Sequence, residues 1–218
     1  MTQFTNEKQH IKVVQYMHGD FEYFRWSEMI NRRYSERRGY EYVVSHEIPR
    51  NDRHVCWHKI PVILNELRDC DTLIFVDADA HFYSHDLRIE EELIPLLGDK
   101  SILMSQDVVS EYERWTPDLP NTGVILTKNN KQTHLFFKAW NEASDIDEST
   151  RWTWPPEQLA LWNVVLPRFP DVVQIHPDYY RIHGRYGHFI RHYSGETDAE
   201  RTQKMKAFCS SRQIKEIL

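Results

Sequence analysis

Three short, almost wholly apolar runs constrain this chain most: IKVVQYM (11–17), YEYVV (40–44) and LIFV (73–76). Runs of that length bounded by polar sequence read as strands, the first of them buried. Between them the period changes. In Phe21–Arg38 the apolar residues Trp26, Met29, Ile30 and Tyr34 follow helical spacing, and Gly39 stands where a helix end favours a residue tolerant of positive φ. Trp57, Ile60, Leu64 and Leu67 predict a second helix over Trp57–Arg68, with Pro61 acceptable only in its first turn. Further on, DLRIEEELIPLLG suggests a short helix ending at Gly98, and SILMS and NTGVILT (121–127) read as strands either side of a polar loop containing Pro117 and Pro120. Helices are expected at 131–143 and 157–166, a strand at VVQIH (172–176), and a polar helical tail from Asp198. Strand alternating with helix predicts an α/β sandwich around a largely parallel sheet. The chain reads as one domain, 1–218, in which about 197–218 form a C-terminal helix or a linker to a further domain.

At 218 residues and 40% hydrophobic content the chain can bury a core without covalent staples. Cys56, Cys70 and Cys209 are odd in number and widely spaced, so neither a disulfide framework nor a paired-cysteine metal knuckle is expected. With no apolar signal core and no long apolar span, a cytoplasmic protein without a membrane segment is the expectation. Net charge is −6, from 27 Lys plus Arg against 33 Asp plus Glu, which argues against nucleic acid as the main partner. An anionic substrate then needs a cation.

LIFV runs directly into D-A-D-A, so a strand closes on Asp77 with Asp79 two residues later. In such sheets ligands bind beyond the carboxyl ends of the strands. If the backbone stays extended, both carboxylates point one way and repel unless a cation intervenes. A hard divalent ion shared with substrate phosphate oxygens answers both requirements. The bland alternative, Asp77 capping a turn and Asp79 solvated, is weakened by the apolar lead-in and the small neighbours Ala78 and Ala80. Two metal-using chemistries fit: a haloacid-dehalogenase-like phosphohydrolase with an aspartyl nucleophile, and nucleotide-sugar transfer. A non-catalytic nucleotide- or carbohydrate-binding module is a third reading. Against the phosphohydrolase, His81 replaces the usual Thr or Val and two strands precede the pair.

Six segments in order, NRRYSERRGYEYVV (31–44), WHKIPVILNEL (57–67), DTLIFVDADAHF (71–82), NTGVILTKN (121–129), PPEQLALWNVV (155–165) and GHFIRHYSG (187–195), resemble the metal-dependent GT-A glycosyltransferases. The likeness is nearest to the retaining fungal and plant α-galactosyl-, α-mannosyl- and xyloglucan xylosyltransferases, and the short form is similar to glycosyltransferase domains of large algal viruses, which would place it in a host cytoplasm. The resemblance implies a GT-A fold: a Rossmann-like, nucleotide-sugar-binding α/β/α sandwich with a mixed, mainly parallel sheet. It implies transfer of a hexose or deoxyhexose from a UDP-sugar to a hydroxyl of a glycan or glycoprotein acceptor.

Residue by residue, it makes Asp77 and Asp79 the metal and diphosphate pair, with Ala78 between them, and His192 the third metal ligand. A carboxylate and imidazole set suits Mn²⁺ better than Mg²⁺, which is also possible. Alone, His192 would read as a partly buried strand histidine, and with His176, His183 and His188 it makes zinc a rival. Asn121 is assigned to the donor sugar or acceptor, with Gly123 permitting close backbone approach. Glu157 and Gln158 are placed across the reacting carbon, although locally they are also a good first helical turn. Tyr16, Met17, His18 and Tyr42 are expected to line the uridine pocket, Lys59 to reach a phosphate or acceptor unless simply solvated, and Gly195 to lie beside the diphosphate. Plant members carry a lysine just after the segment corresponding to HYSG; here Glu196 and Thr197 follow, so the metal, Lys59, Arg185 or Arg191 must supply that charge. If the reaction instead inverts, Glu157 or Asp107 is the candidate base.

Overall fold

A computed structural model describes residues 9–48, 50–107, 119–177, 182 and 184–212. Its elements run β1 (Ile11–Tyr16), α1 (Glu22–Arg38), β2 (Glu41–Ser45), α2 (Lys59–Glu66), β3 (Thr72–Val76), β4 (Ala80–Phe82), α3 (Ile89–Glu92), β5 (Ile102–Gln106), β6 (Pro120–Lys128), α4 (Lys131–Ile146), α5 (Pro156–Ala160), β7 (Val173–His176), β8 (Ile190–His192) and α6 (Asp198–Arg212). The polar loop expected around Pro117 lies outside the described residues, apart from its end at Pro120.

Six strands form one sheet in the order β2-β1-β3-β6-β5-β7. β1 is parallel to β2 and β3, and β5 to β7; β6 alone runs antiparallel to both its neighbours. The sheet is therefore mixed and mainly parallel, flanked by helices. Every side chain of β1 and β3 is buried, Lys12 and Gln15 of β1 included, whereas β2, at one edge of the sheet, is exposed to half-buried. Alternate residues feed two cores. Val14, Tyr16, Phe75, Met104 and Ile125 pack with Trp57, Phe136 and Trp140 beneath α2 and α4. Val13, Ile74, Val76 and Val124 pack with Tyr34, Phe82 and Ile89 on the other face. Burying each large apolar side chain contributes about 1.5–3 kcal/mol, so the two layers hold the central strands β3 and β6 whose ends carry the site.

Gly39 ends α1 at φ 71° and ψ 35°, its N–H donating to the carbonyls of Ser35 and Glu36. The helix expected over 57–68 is divided: a 3₁₀ turn at Val55–His58, then α2 with Pro61 in its first turn, then a second 3₁₀ turn at Leu67–Asp69. A separate antiparallel ribbon, β4 with β8, pairs Ala80 with His192 and Phe82 with Ile190. Three residues per strand carry too little pattern for sequence periodicity to announce it.

Candidate active site

At the end of β3 the chain does not stay extended. Asp77 donates its backbone N–H to the Gly123 carbonyl at 2.8 Å, and Ala80 donates back to the Asp77 carbonyl at 2.9 Å, closing a tight turn through Ala78 and Asp79. The two carboxylates therefore do not point one way from an extended strand, as expected; the turn makes them converge. Buried polar groups on β1 and α1 brace that turn. Gln15 Nε2 donates to the Asp77 carbonyl and to Ser27 Oγ, both at 3.1 Å. Ser27 Oγ and Asn31 Nδ2 donate to the Ala80 carbonyl at 3.1 and 3.0 Å, while Asn31 Oδ1 accepts from the Phe82 N–H at 3.0 Å. Ser27 and Asn31 are fully buried and went unnoticed in the sequence; the available signal was a pair of short polar residues, four apart, within an amphipathic helix.

β8 supplies the third group. His192 Nε2 lies 3.0 Å from Asp79 Oδ1 and 3.9 Å from Asp77 Oδ2. One potential ligand atom from each of Asp77, Asp79 and His192 lies within 4.8 Å of the others. Gly123 makes room for this: a Cβ there would sit 2.2 Å from His192 Cε1 and 2.6 Å from Nδ1. Its close approach is to the imidazole.

Two cations hold the outward oxygens. Lys59 Nζ lies 2.8 Å from Asp77 Oδ1 and 3.4 Å from Glu157 Oε1, and donates to the Thr122 carbonyl at 3.3 Å. Far from being solvated, Lys59 is 5% exposed. Burial opposes its charge, but Asp77 and Glu157 outweigh burial and hold the ammonium above the usual lysine range. Arg201, from α6, places Nη2 3.0 Å from Asp79 Oδ2 and donates from Nε to the Tyr193 carbonyl. Burial raises the Asp77 carboxyl above the usual range despite Lys59 and His192. Burial also opposes the Asp79 charge, yet His192 and Arg201 overcome it and hold this carboxyl well below that range. His192 in turn is raised, Asp79 and Asp77 prevailing over its burial. Of the cations expected to offset the diphosphate, Lys59 lies beside the aspartates, paired with Asp77 and Glu157. Arg185 instead pairs with Glu196 at 3.0 Å and Arg191 stacks on Tyr83; the sequence reading missed Arg201.

Beside the aspartates, the first turn of α5 locks onto β6. Thr122 Oγ1 donates to Glu157 Oε1 at 2.9 Å, and the Thr122 N–H donates to Gln158 Oε1 at 3.1 Å. Gln158 Nε2 donates to Asp107 Oδ2 at 2.8 Å, and Asn121 Nδ2 to Asp107 Oδ1 at 3.3 Å. Asn121, Glu157 and Gln158 therefore share one network, joined to the metal-ligating candidates through Lys59. Glu157 is 4% exposed and its Oε2 has no hydrogen-bond partner among the described residues.

The residues expected around a base are not brought together. Tyr16 faces the α2 side and pairs with His58 Nδ1 at 2.8 Å. Tyr42, opposite Val13 in the register, faces the other side and donates to Gln15 Oε1 at 2.6 Å. Met17 is buried and His18 exposed. Ala78 packs against the Tyr23 and Tyr193 cluster, and Gly195 takes φ 75° in an exposed turn. His176 and His188 do not join the Asp77, Asp79, His192 group, and His183 lies outside the described residues.

No protein-family model and no curated protein matches the sequence. Solved structures do. A glycosyltransferase involved in the glycosylation of the major capsid of PBCV-1 superimposes with a TM-score of 0.75 at 16% identity, over 91% of this chain and 99% of that one. The glycosyltransferase GlyE of Streptococcus pneumoniae TIGR4 superimposes with a TM-score of 0.57 at 11% identity, over 94% of this chain and 64% of that one. What such identities share is architecture: this chain has the fold of those glycosyltransferases, with two carboxylates and an imidazole converging where its third strand ends.

Proposed function

We propose that the protein is a Mn²⁺-dependent glycosyltransferase that moves a hexose or deoxyhexose from a UDP-sugar to a glycan hydroxyl with retention of configuration. One observation carries this reading. Lys59 and Arg201 take Asp77 Oδ1 and Asp79 Oδ2, which leaves Asp77 Oδ2 and Asp79 Oδ1 turned toward His192 Nε2 in a fold shared with glycosyltransferases. Two carboxylate oxygens and one imidazole nitrogen, held by a missing Cβ at Gly123, fit a Mn²⁺ ion, with Mg²⁺ the weaker match to imidazole. When bound there, Mn²⁺ supplies neutralisation of the charge that builds on the leaving phosphate.

The chain's own residues do the rest. Lys59 keeps Asp77 and Glu157 in fixed positions, and the Thr122, Gln158, Asp107 and Asn121 network fixes the wall beside them. Glu157, buried beside Lys59, favours positive charge developing at a sugar carbon placed against it. In this reading Asn121 contacts the donor sugar or acceptor, Met17 and His18 border the nucleotide at the end of β1, and Gly195 lies beside the diphosphate.

The test is a panel of UDP- and GDP-sugars assayed for nucleotide release with and without Mn²⁺, alongside Mn²⁺ affinity from electron paramagnetic resonance. We expect Mn²⁺-dependent UDP release and at least a 100-fold loss of Mn²⁺ affinity in Asp79→Ala. Undiminished Mn²⁺ binding by that variant would remove the metal assignment. Phosphate release from simple esters would indicate a phosphohydrolase, and UDP binding without turnover a binding module.

A further inference from the structure

The reverse side of the β4–β8 ribbon carries a second, chemically different concavity. Side chains alternate along a strand, so while His192 turns to the aspartates, Arg191 and Tyr193 turn the other way. With Tyr83 they meet α6, which presents Lys204, Ala207, Phe208 and Ser211, and Arg185 and Tyr186 complete the rim of a cavity of about 330 Å³. None of these lining residues is acidic, whereas the whole chain carries −6. Three cations line one small cleft. Beneath them the single carboxylate of Glu196 receives both Arg185, at 3.0 Å, and Lys204. The Arg191 guanidinium lies 3.3 Å over the Tyr83 ring, which fixes it in place, and its Nε donates to the Gly187 carbonyl. One buried acid against three cations leaves a net positive surface. Tyr186 stands 74% exposed at the rim, a large ring face open to solvent.

We infer that this cleft is a binding site for an anionic sugar, a monosaccharide unit bearing a carboxylate or a phosphate, separate from the metal-centred site. The cations recognise the anion: guanidinium and ammonium groups held in place by Glu196 and Tyr83 still have N–H donors to give. The exposed tyrosine face recognises the ring, since sugar C–H faces lie against aromatic surfaces. A volume of about 330 Å³ suits one sugar unit with its charged substituent. A neutral sugar would leave the excess positive charge uncompensated, and a bare inorganic anion would leave Tyr186 unused.

The experiment is calorimetric titration of the metal-free full chain with glucuronate, glucose 6-phosphate, glucose and inorganic phosphate at low and moderate salt. We expect glucuronate and glucose 6-phosphate each to bind at least 10-fold tighter than glucose, weakening as salt rises. If only one of them binds, that result identifies carboxylate or phosphate as the anion. Arg191→Gln and Lys204→Gln should each weaken both by about 10-fold; Lys204 is half-exposed, so its variant keeps the test meaningful if Arg191→Gln unfolds. Tyr186→Ala should weaken glucose 6-phosphate but leave inorganic phosphate unchanged. Glucose binding as well as glucuronate, or inorganic phosphate as well as glucose 6-phosphate, overturns the proposal. So does loss of binding in Asp79→Ala, whose side chain lies outside the cleft; retention there, whatever that variant does to Mn²⁺, separates this inference from the donor-site reading.

Discussion

Asp77 and Asp79 stand two residues apart in one turn, yet their protons are held in opposite senses. Exposure does not explain it: the Asp77 side chain is 25% exposed and Asp79 only 14%, but Asp79 is the more acidic. Burial raises both. The difference lies in the counter-charges. Asp77 shares Lys59 with Glu157, a second buried carboxylate, so one ammonium serves two anions. Asp79 has Arg201 on one oxygen and His192 on the other. Where two neighbouring carboxylates are both pushed up by burial, the opposite charges that each need not share decide which way the shift finally goes.

The largest break in this pattern is expected from Gly123→Ala. Its new Cβ would overlap His192, the partner both carboxylates face, and the imidazole must leave its position. We predict Mn²⁺ affinity reduced about 100-fold, with a stability cost of about 1–3 kcal/mol from overpacking, read by titration and thermal unfolding. Wild-type Mn²⁺ affinity in that variant would show that His192 serves equally well from elsewhere.

Replacing the aspartates by neutral isosteres sharpens the comparison itself. In the metal-free protein, Asp79→Asn leaves Arg201 and a raised His192 without their anion and should cost about 2 kcal/mol, a fall in Tm of roughly 4–8 °C. Asp77→Asn removes a charge that burial already disfavours and leaves Lys59 with Glu157, so its fall should be less than half as large. Equal losses would mean that the two carboxylates are compensated alike. Both variants should nonetheless lose Mn²⁺ binding, since each replaces one of the three groups that offer a ligand atom.

This asymmetry was only partly legible in the chain. Strand and helix alternation through Val76, the turn at Gly39, and the Asp77, Asp79 and His192 set could all be read from the residues or their resemblance to known glycosyltransferases. Periodicity reports burial against the sheet, and these segments bury a regular face. The polar partners leave no such pattern. Lys59 sits in a helix whose apolar spacing is complete without it. Ser27 and Asn31 hold the Asp77 turn from α1, and Arg201 lies in a tail that reads only as a polar helix, although it returns to Asp79 and stacks on Tyr23. Tyr16 and Tyr42 fail as a pair for a simple reason: residues opposite one another or an even number apart share a face of the sheet, and these two do not.

The same rule extends to the histidines and gives the smallest effect. His192, with two carboxylates beside it, is raised above the ordinary histidine range. His85, between the Tyr34 and Phe208 rings with its Nε2 buried and without a hydrogen bond among the described residues, is lowered to about 4, burial being the main cause and Arg37 and Arg212 adding repulsion. The sign follows directly. From the ordinary histidine value of 6.5 down to about 4, the unfolded chain binds a proton at position 85 that the native state refuses, so stability contributed there is present at neutral pH and lost as pH falls through that window. We predict that His85→Phe, which keeps the ring contacts and cannot titrate, flattens the fall in stability between pH 6.5 and pH 5 by about 1 kcal/mol, allowing for the water that reaches a half-buried ring. Denaturant unfolding at the two pH values measures it. An unchanged slope would mean that His85 takes up its proton as readily in the fold as out of it, and that the contrast between compensated and uncompensated groups stops at the aspartates.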